Sequence, residues 1–473
     1  MNPSPARNII EKIWDAHVVA NLGADQCLLQ IDRILLHERT GPALLSGLAA
    51  AGRRPANPRL VFGLMDHIVE TRPGRGDRTP LKGGEQFIAE FRKRCGAFGI
   101  TLFDLGDPRQ GIVHVVSPEQ GLALPGMTLV CPDSHTGTVG GVGALAWGIG
   151  STEGEHAVAT QTLIRKRPRS MRVNFEGSLG LGVSAKDMIL ALIKNHGAAG
   201  GGNHAIEFTG AAVRTLPVEA RLTLCNMAVE FGAWTGLIAP DDTTIEWIAG
   251  RPFAPAGSLF DRATAHWRSL ASDANAVWDA ELNVDCTNLV PQVTWGTSPA
   301  HAVDIGGVVP CPDSGLNAAD RAACERALSY MELKPGDALV GLPIDAAFIG
   351  SCTNARLSDL RAAAAVIKGA KIAPGVRAIV VPGSSSVKAA AEAEGLDGVF
   401  REAGFEWRES GCGLCFYAGG EGLSGARRII SSTNRNFEGR QGPGVRTHLA
   451  SPLTVAASAV AGHIADPRPH LRH

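Results

Sequence analysis

The feature that most limits what this chain can become is a recurring one: a short apolar run that halts against polar residues. Residues 127–131 read MTLVC and run straight into PDSHT; AAFIG at 346–350 meets SCTN, and AIVV at 378–381 meets PGSSS. Apolar runs this short, without alternation and bounded by turn residues, read as strands buried on both faces. Between them lie stretches with helical spacing: GEQFIAEFRKRCGAFG, AKDMILALIKNH, AHWRSLAS, LSDLRAAAAVIKGA and SVKAAAEAEG. Strands alternating with helices predict α/β architecture with mostly parallel sheets. Such sheets deliver the residues that follow each strand to a site at the carboxyl ends.

At 473 residues the chain is too long for one core. Three consecutive blocks are expected: 1–165, which ends in the glycine run TGTVGGVGALAWGIG; 166–290, which opens on MRVNFEG; and 291–473, with AAFIG and the Ala-rich helices. No internal repeat is visible. The 57 glycines and 28 prolines are spread along the chain, which predicts tight turns rather than disorder. A net charge of −1 leaves no electrostatic footprint for nucleic acid or an anionic membrane surface. No stretch nears the ~20 apolar residues of a membrane span. The N-terminus MNPSPARNIIEKIWDAH lacks the apolar core of a secretory leader. A cytoplasmic protein with no nucleic-acid or membrane partner is expected.

Of the ten cysteines, most are expected to be small buried apolar residues in a reducing compartment. Three stand in a different context. Cys412 and Cys415 form a C-x-x-C among glycines in SGCGLCF, and Cys352 follows a strand in IGSCTN. Gly411 and Gly413 would let backbone amides approach a bulky anionic group. Ser351, Thr353 and Asn354 can hydrogen-bond near a helix N-terminus, where backbone N–H groups favour a thiolate. The spacing alone leaves a structural zinc, a redox dithiol and an iron–sulfur cluster open. Zinc would want a fourth ligand at matched spacing. Three thiolates on a four-iron cube would leave one iron open as a Lewis acid.

The remaining polar motifs occur in a telling order. MDH at 65–67, HVV at 114–116, CPDSHT at 131–136 and NMAVEFGA at 226–233 precede IGSCTN and GCGLC, and STNRNFEGR at 432–440 follows. This set resembles the aconitase superfamily, most closely the large subunits that isomerise isopropylmalate, over residues 8–467. The resemblance implies three α/β domains around a central cluster cleft, without the swivel domain of full-length members. It also implies one [4Fe-4S] cluster per chain, held by Cys352, Cys412 and Cys415. The implied reaction is a reversible dehydration and hydration between 2-isopropylmalate and 3-isopropylmalate through 2-isopropylmaleate, a step of leucine biosynthesis. The serine base and one arginine of the family sit in the swivel domain. Nothing after ADPRPHLRH matches that domain, so a small swivel-type subunit is expected as heterodimeric partner.

Residue chemistry accords with those roles. His67 directly follows Asp66, and a carboxylate beside an imidazole raises its pKa and suits it to general-acid work. By resemblance, this pair protonates the departing hydroxyl. Asp133, Ser134 and His135 are consecutive, so they cannot converge on one another and need outside partners. The family pattern pairs Asp133 with His114 and His135 with Glu230. Asn226 assists, four residues before Glu230 and on the same face if that segment is helical. Asn434, Arg435 and Arg440 are the expected grip on substrate carboxylates, since arginine binds them in a planar, bidentate way. Asn436 is a weaker candidate, and His37 and His156 are expected to be structural.

Some positions depart from the family. Pro132 stands where a glycine is usual, Ile68 replaces a polar residue, Gly137 and Val139 alter the loop after DSHT, and ETRPGRGDR at 70–78 is unusually basic. These leave citraconate, another 2-alkylmalate or homoaconitate as alternative substrates. A non-catalytic, cluster-free binding or regulatory protein is the alternative of a different class.

Overall fold

The computed structural model describes residues 6–312, 318–423 and 425–471. They form two compact units, each drawn from separated stretches of chain. The first unit takes residues up to 67, then 83–178 and 201–286; the second takes 68–82, 179–200 and the chain from 287 onward. These units are thus not consecutive blocks, because the chain leaves the first unit twice and returns.

The first unit contains two parallel sheets. One has five strands in the order Thr101–Phe103, Val61–Leu64, Arg33–His37, Thr128–Cys131, Leu145–Gly148. The other has four, in the order Thr235–Leu237, Ala205–Thr209, Ser170–Glu176, Ala280–Asp285. A small antiparallel sheet joins Val18–Gly23, Gln26–Gln30 and Thr162–Lys166. The second unit is built on a five-stranded parallel sheet ordered Glu406–Trp407, Arg377–Val380, Ala346–Ile349, Arg428–Ser431, Arg446–Leu449.

Numbered along the chain, the strands of all three parallel sheets are wound 3-2-1-4, extended to a fifth in two of them. The structure therefore holds a repeat of winding where the sequence shows none. In such sheets the strand order reverses between the first and fourth strands, and residues just beyond their carboxyl ends line a crevice. Glu38 and Asp133 follow those two strands in the first unit; Cys352 and Asn434 follow them in the second.

Local sequence accounts for the elements. The runs MTLVC and AAFIG become Thr128–Cys131 and Ala346–Ile349, every residue buried. Burying a side chain such as Phe348 contributes about 2–3 kcal/mol. Four helices fall where helical spacing places them: Gly84–Phe98, Ala185–His196, Leu357–Ile367 and Ser385–Ala393; the helix expected over AHWRSLAS (265–272) instead runs Ser258–Ser269, starting earlier and stopping short of Leu270. Leu357–Ile367 buries Leu360, Ala363, Ala364, Val366 and Ile367. Ala-rich faces of this kind pack closely and explain how cores form with 5% aromatic residues.

The glycine run after Asp133 serves packing. A Cβ on Gly140 would stand 1.9 Å from the Gly236 carbonyl oxygen, and one on Gly141 2.6 Å from the Leu222 amide nitrogen. Any side chain there would push the 3-10 segment Ser134–Val142 off the strand Thr235–Leu237 and the helix Val218–Asn226. That helix ends at Asn226, and Glu230 lies in the separate turn Val229–Phe231. The expected shared helical face of Asn226 and Glu230 is therefore not formed.

Candidate active site

In the first unit, Asp66, His67 and Asp133 all lie just past strand ends, and they meet. His67 Nδ1 bonds to Asp66 Oδ1, while its Nε2 lies 3.1 Å from Asp133 Oδ2. The other Asp133 oxygen accepts from His114 Nε2 at 2.7 Å and from the His135 N–H at 2.8 Å, as the cap of the following 3-10 segment. The remaining Asp66 oxygen accepts the Val113 N–H at 2.9 Å, at the start of the helix that carries His114. His135 Nε2 lies 2.9 Å from Glu230 Oε1, and its Nδ1 lies 3.3 Å from the Ser134 hydroxyl. Asn226 donates to the Thr138 hydroxyl, which donates to the His135 carbonyl. All eight residues expected in this cluster are joined directly or through one intermediary.

Its electrostatics follow from that geometry. Burial disfavours a charged His67 ring, but the Asp66 and Asp133 carboxylates outweigh burial and hold its pKa well above the ordinary value. Burial would likewise raise Asp133, yet the His114 and His67 rings bring it well below the usual carboxylate range. Asp66 is lowered in the same way, its burial overcome by His67. The site thus holds a cationic imidazole between two carboxylates.

Two further residues join the cluster: His37, expected to be structural, and Glu38, which sequence reasoning missed. His37 is buried and stacks on His67, ring centroids 4.0 Å apart and planes 17° apart. Burial, then the His67 charge, lowers its pKa to about 4, so it packs as a neutral ring. Glu38 is fully buried and accepts the Asp66 N–H at 2.9 Å. His37 closes the buried strand RILLH and Glu38 follows it, and that strand end was the available signal. A cavity of about 390 Å³ lined by Pro132, Asp133, Ser134, Asn203 and Trp234 opens beside this cluster.

In the second unit, Cys352, Cys412 and Cys415 are buried and not joined by disulfides. Cys412 and Cys415 flank one 3-10 turn, where the Cys415 N–H bonds to the Cys412 carbonyl at 3.1 Å. The Ser351 hydroxyl lies 3.4 Å from Cys415 Sγ and 3.9 Å from Cys352 Sγ. Asn434 Nδ2 is 3.4 Å from Cys352 Sγ, and Arg440 Nη2 is 3.7 Å from Cys415 Sγ. Arg440 also stands over the Phe416 and Phe437 rings, and its buried Nε has no partner among the described residues. Arg435 is half-buried in the same turn. Asn436 instead donates to Thr294 Oγ1 and to the Gly296 and Thr447 carbonyls, a structural amide.

Buried polar groups hold the two cysteine-bearing turns. Arg356 donates to the Cys352 and Thr353 carbonyls at 2.9 Å each. Lys186, fully buried, donates to the Ser432 and Thr433 carbonyls just before Asn434. Burial lowers its pKa to about 7, yet a neutral amine still has two N–H groups for those two acceptors. The Cys412 loop is pinned by residues of the basic stretch 70–78. Thr71 donates its N–H and hydroxyl to Glu421, which pairs with buried Arg408 at 2.7 Å, and Arg75 donates to the Ser410 carbonyl.

Donors turned toward buried sulfurs suit thiolates bound to a positive inorganic centre. Sulfurs around one zinc ion stand roughly 4 Å apart. Among the described residues, the set of ligand atoms converging within 4.8 Å is His37, Glu38, Asp66 and His67, not the three cysteines. A cube, which places each thiolate on its own iron, would hold sulfurs farther apart than a single zinc ion does.

The family model for the aconitase family (aconitate hydratase) matches residues 11–462, and the chain belongs to that family of hydro-lyases. It is 53% identical over 462 residues to "3-isopropylmalate dehydratase large subunit 1" of Bradyrhizobium diazoefficiens, covering 98% of this chain and 96% of that relative. The crystal structure of Thermococcus kodakaraensis aconitase X in its holo form aligns over 90% of this chain and 88% of its own, with 13% identity and a TM-score of 0.45.

Proposed function

We propose that this chain is the large subunit of an iron–sulfur hydro-lyase that interconverts 2-isopropylmalate and 3-isopropylmalate through 2-isopropylmaleate. The observation that carries this reading is the 53% identity to a relative named as such a subunit, over nearly the full length of both chains. A [4Fe-4S] cluster bound by Cys352, Cys412 and Cys415 would supply a Lewis-acidic iron for the departing hydroxyl.

The remaining steps belong to side chains of this molecule. His67, kept cationic by Asp66 and Asp133, gives its proton to the hydroxyl, which leaves as water while the C–O bond breaks. The α-carbon C–H bond breaks as its proton passes to a base, and the C=C bond forms. Rehydration with the opposite placement of hydroxyl and hydrogen yields the isomer. His114 on Asp133, and His135 on Glu230, are fixed imidazoles that hold water and substrate hydrogen bonds in place. Arg435 and Arg440 grip substrate carboxylates, with Asn434 between substrate and sulfur. The words "large subunit" in the relative's name support a small-subunit partner carrying the base. Among the described residues no helix is long and apolar enough to cross a membrane, in keeping with a cytoplasmic biosynthetic enzyme.

The test is anaerobic reconstitution with iron and sulfide, with and without the small subunit, followed by assay of isopropylmalate, citraconate, citrate and homocitrate. Fastest turnover of isopropylmalate by the pair, with this chain alone nearly inactive, is the expected result. Full turnover by this chain alone refutes the partner, and a preference for citraconate or homocitrate refutes the substrate.

A further inference from the structure

Ser351 has φ at +80°, the left-handed region that glycine enters at least cost. Five other described non-glycine residues have a positive φ: Ala24, Asp25, Asn203 and Glu332 are exposed, and Gln161, though buried, caps the end of the helix Ser151–Thr160, whereas Ser351 is fully buried and caps no helix end. Glycine would fit the backbone better at this position, so the side chain itself must account for a serine held there. Its hydroxyl lies near two of the three sulfurs, Cys415 Sγ at 3.4 Å and Cys352 Sγ at 3.9 Å. Those sulfurs come from turns 63 residues apart in the chain. Backbone strain that persists in a buried segment marks a site where the surrounding structure over-determines it for function.

We propose that Ser351 is a positioning residue for the sulfur triad: its single hydroxyl proton, donated to Cys415 Sγ and shared with the more distant Cys352 Sγ, fixes how firmly the sulfurs hold their inorganic group. This rests on the reading that those cysteines bind such a group. Hydrogen bonds to ligating sulfur withdraw charge and set the spacing and the lability of the bound centre. The left-handed backbone aims the hydroxyl at both sulfurs; a glycine would relax the turn and lose the donor.

The variants Ser351→Gly and Ser351→Ala separate hydroxyl from strain. Both lose the donor, but only glycine relieves the backbone. After anaerobic loading with ferrous iron and sulfide, both variants should lose iron to a chelator roughly tenfold faster than wild type. Both should also share an altered visible absorbance and electron paramagnetic resonance signature. Without metal, Ser351→Gly should unfold no lower than wild type, and Ser351→Ala lower than Ser351→Gly, which a general packing defect would not produce.

Iron loss at the wild-type rate in both variants overturns the proposal, as does faster loss confined to one of them. If wild type takes up zinc in place of iron and sulfide, the cluster reading fails. The same variants loaded with zinc then decide the role of the hydroxyl by the same comparison. If wild type holds neither, both fall.

Discussion

Asp133 stands 3.1 Å from His67 Nε2 with one oxygen and 2.7 Å from His114 Nε2 with the other, so one carboxylate governs two imidazoles. Replacing it with Asn keeps the shape but removes the charge. Under the proposed roles, Asp133→Asn should lower kcat about 10²–10⁴-fold. The effects of Asp133→Asn and His114→Gln should combine to far less than their product, because the two share one contact. Steady-state kinetics on the double-mutant cycle checks this; independent effects would contradict it.

The pH dependence follows from the directions of the shifts. His67 is raised above its ordinary 6.5, so its pairing stabilises fully below that value and is lost as pH rises through the raised pKa. Asp66 and Asp133 are depressed from 3.8, so their share is full above that value and lost as pH falls through the depressed ones. The stability difference between wild type and His67→Gln should therefore peak between roughly pH 4 and 6.5. Denaturant titrations across pH measure it. In activity, kcat should hold through neutral pH and fall only on the alkaline side, and Asp66→Asn should bring that fall to lower pH.

Substituting Cys352, Cys412 or Cys415 singly by Ser should leave the circular dichroism spectrum unchanged, since none is needed to close a disulfide. Each should cost more than about 100-fold in iron retention, because a ligand counts for more than the groups behind it. Iron and sulfide analysis after anaerobic reconstitution checks it.

Arg408 and Glu421 form a buried ion pair at 2.7 Å behind the Cys412 loop. Glu421→Ala would leave Arg408 only its half-exposed partner Glu406, 2.6 Å away, and release Thr71, and should destabilise by about 3 kcal/mol. Glu421→Gln keeps acceptors for Thr71 and should cost less, about 1–2 kcal/mol. Urea unfolding in the absence of metal distinguishes the two; equal losses would show that the charge is unimportant.

Much of this was legible in local sequence. Buried strands announce themselves as unbroken apolar runs, and MTLVC and AAFIG became strands whose following residues carry the candidate chemistry. Helices with a clear apolar stripe, such as Ala185–His196, were readable to the residue. What was not legible is non-local. Asp133 reaches His67 across 66 positions, and no pattern in CPDSHT shows that its two oxygens are shared. The basic stretch at 70–78 reads as a substrate-facing loop, yet Thr71 and Arg75 bind groups more than 300 residues away. The repeated winding of the sheets is invisible because strand order depends on which edges pair, not on what each strand is made of. The strain at Ser351 is hidden for a related reason: residue identity states what a side chain can do, not which backbone basin its neighbours force upon it.

The interleaving of the two units has a consequence for biosynthesis. Residues 68–82 and 179–200 emerge from the ribosome well before the stretch beginning at 287 that completes their unit. At roughly 5–20 residues per second, Thr71 waits tens of seconds for Glu421 to be translated. Nascent chains must therefore carry two unsheltered segments, one bearing Lys186 and the apolar helix behind it, through most of translation. Chaperone engagement should concentrate on those segments; a cut after residue 286 leaves the whole first unit still carrying both of them, and no single cut releases the second unit whole.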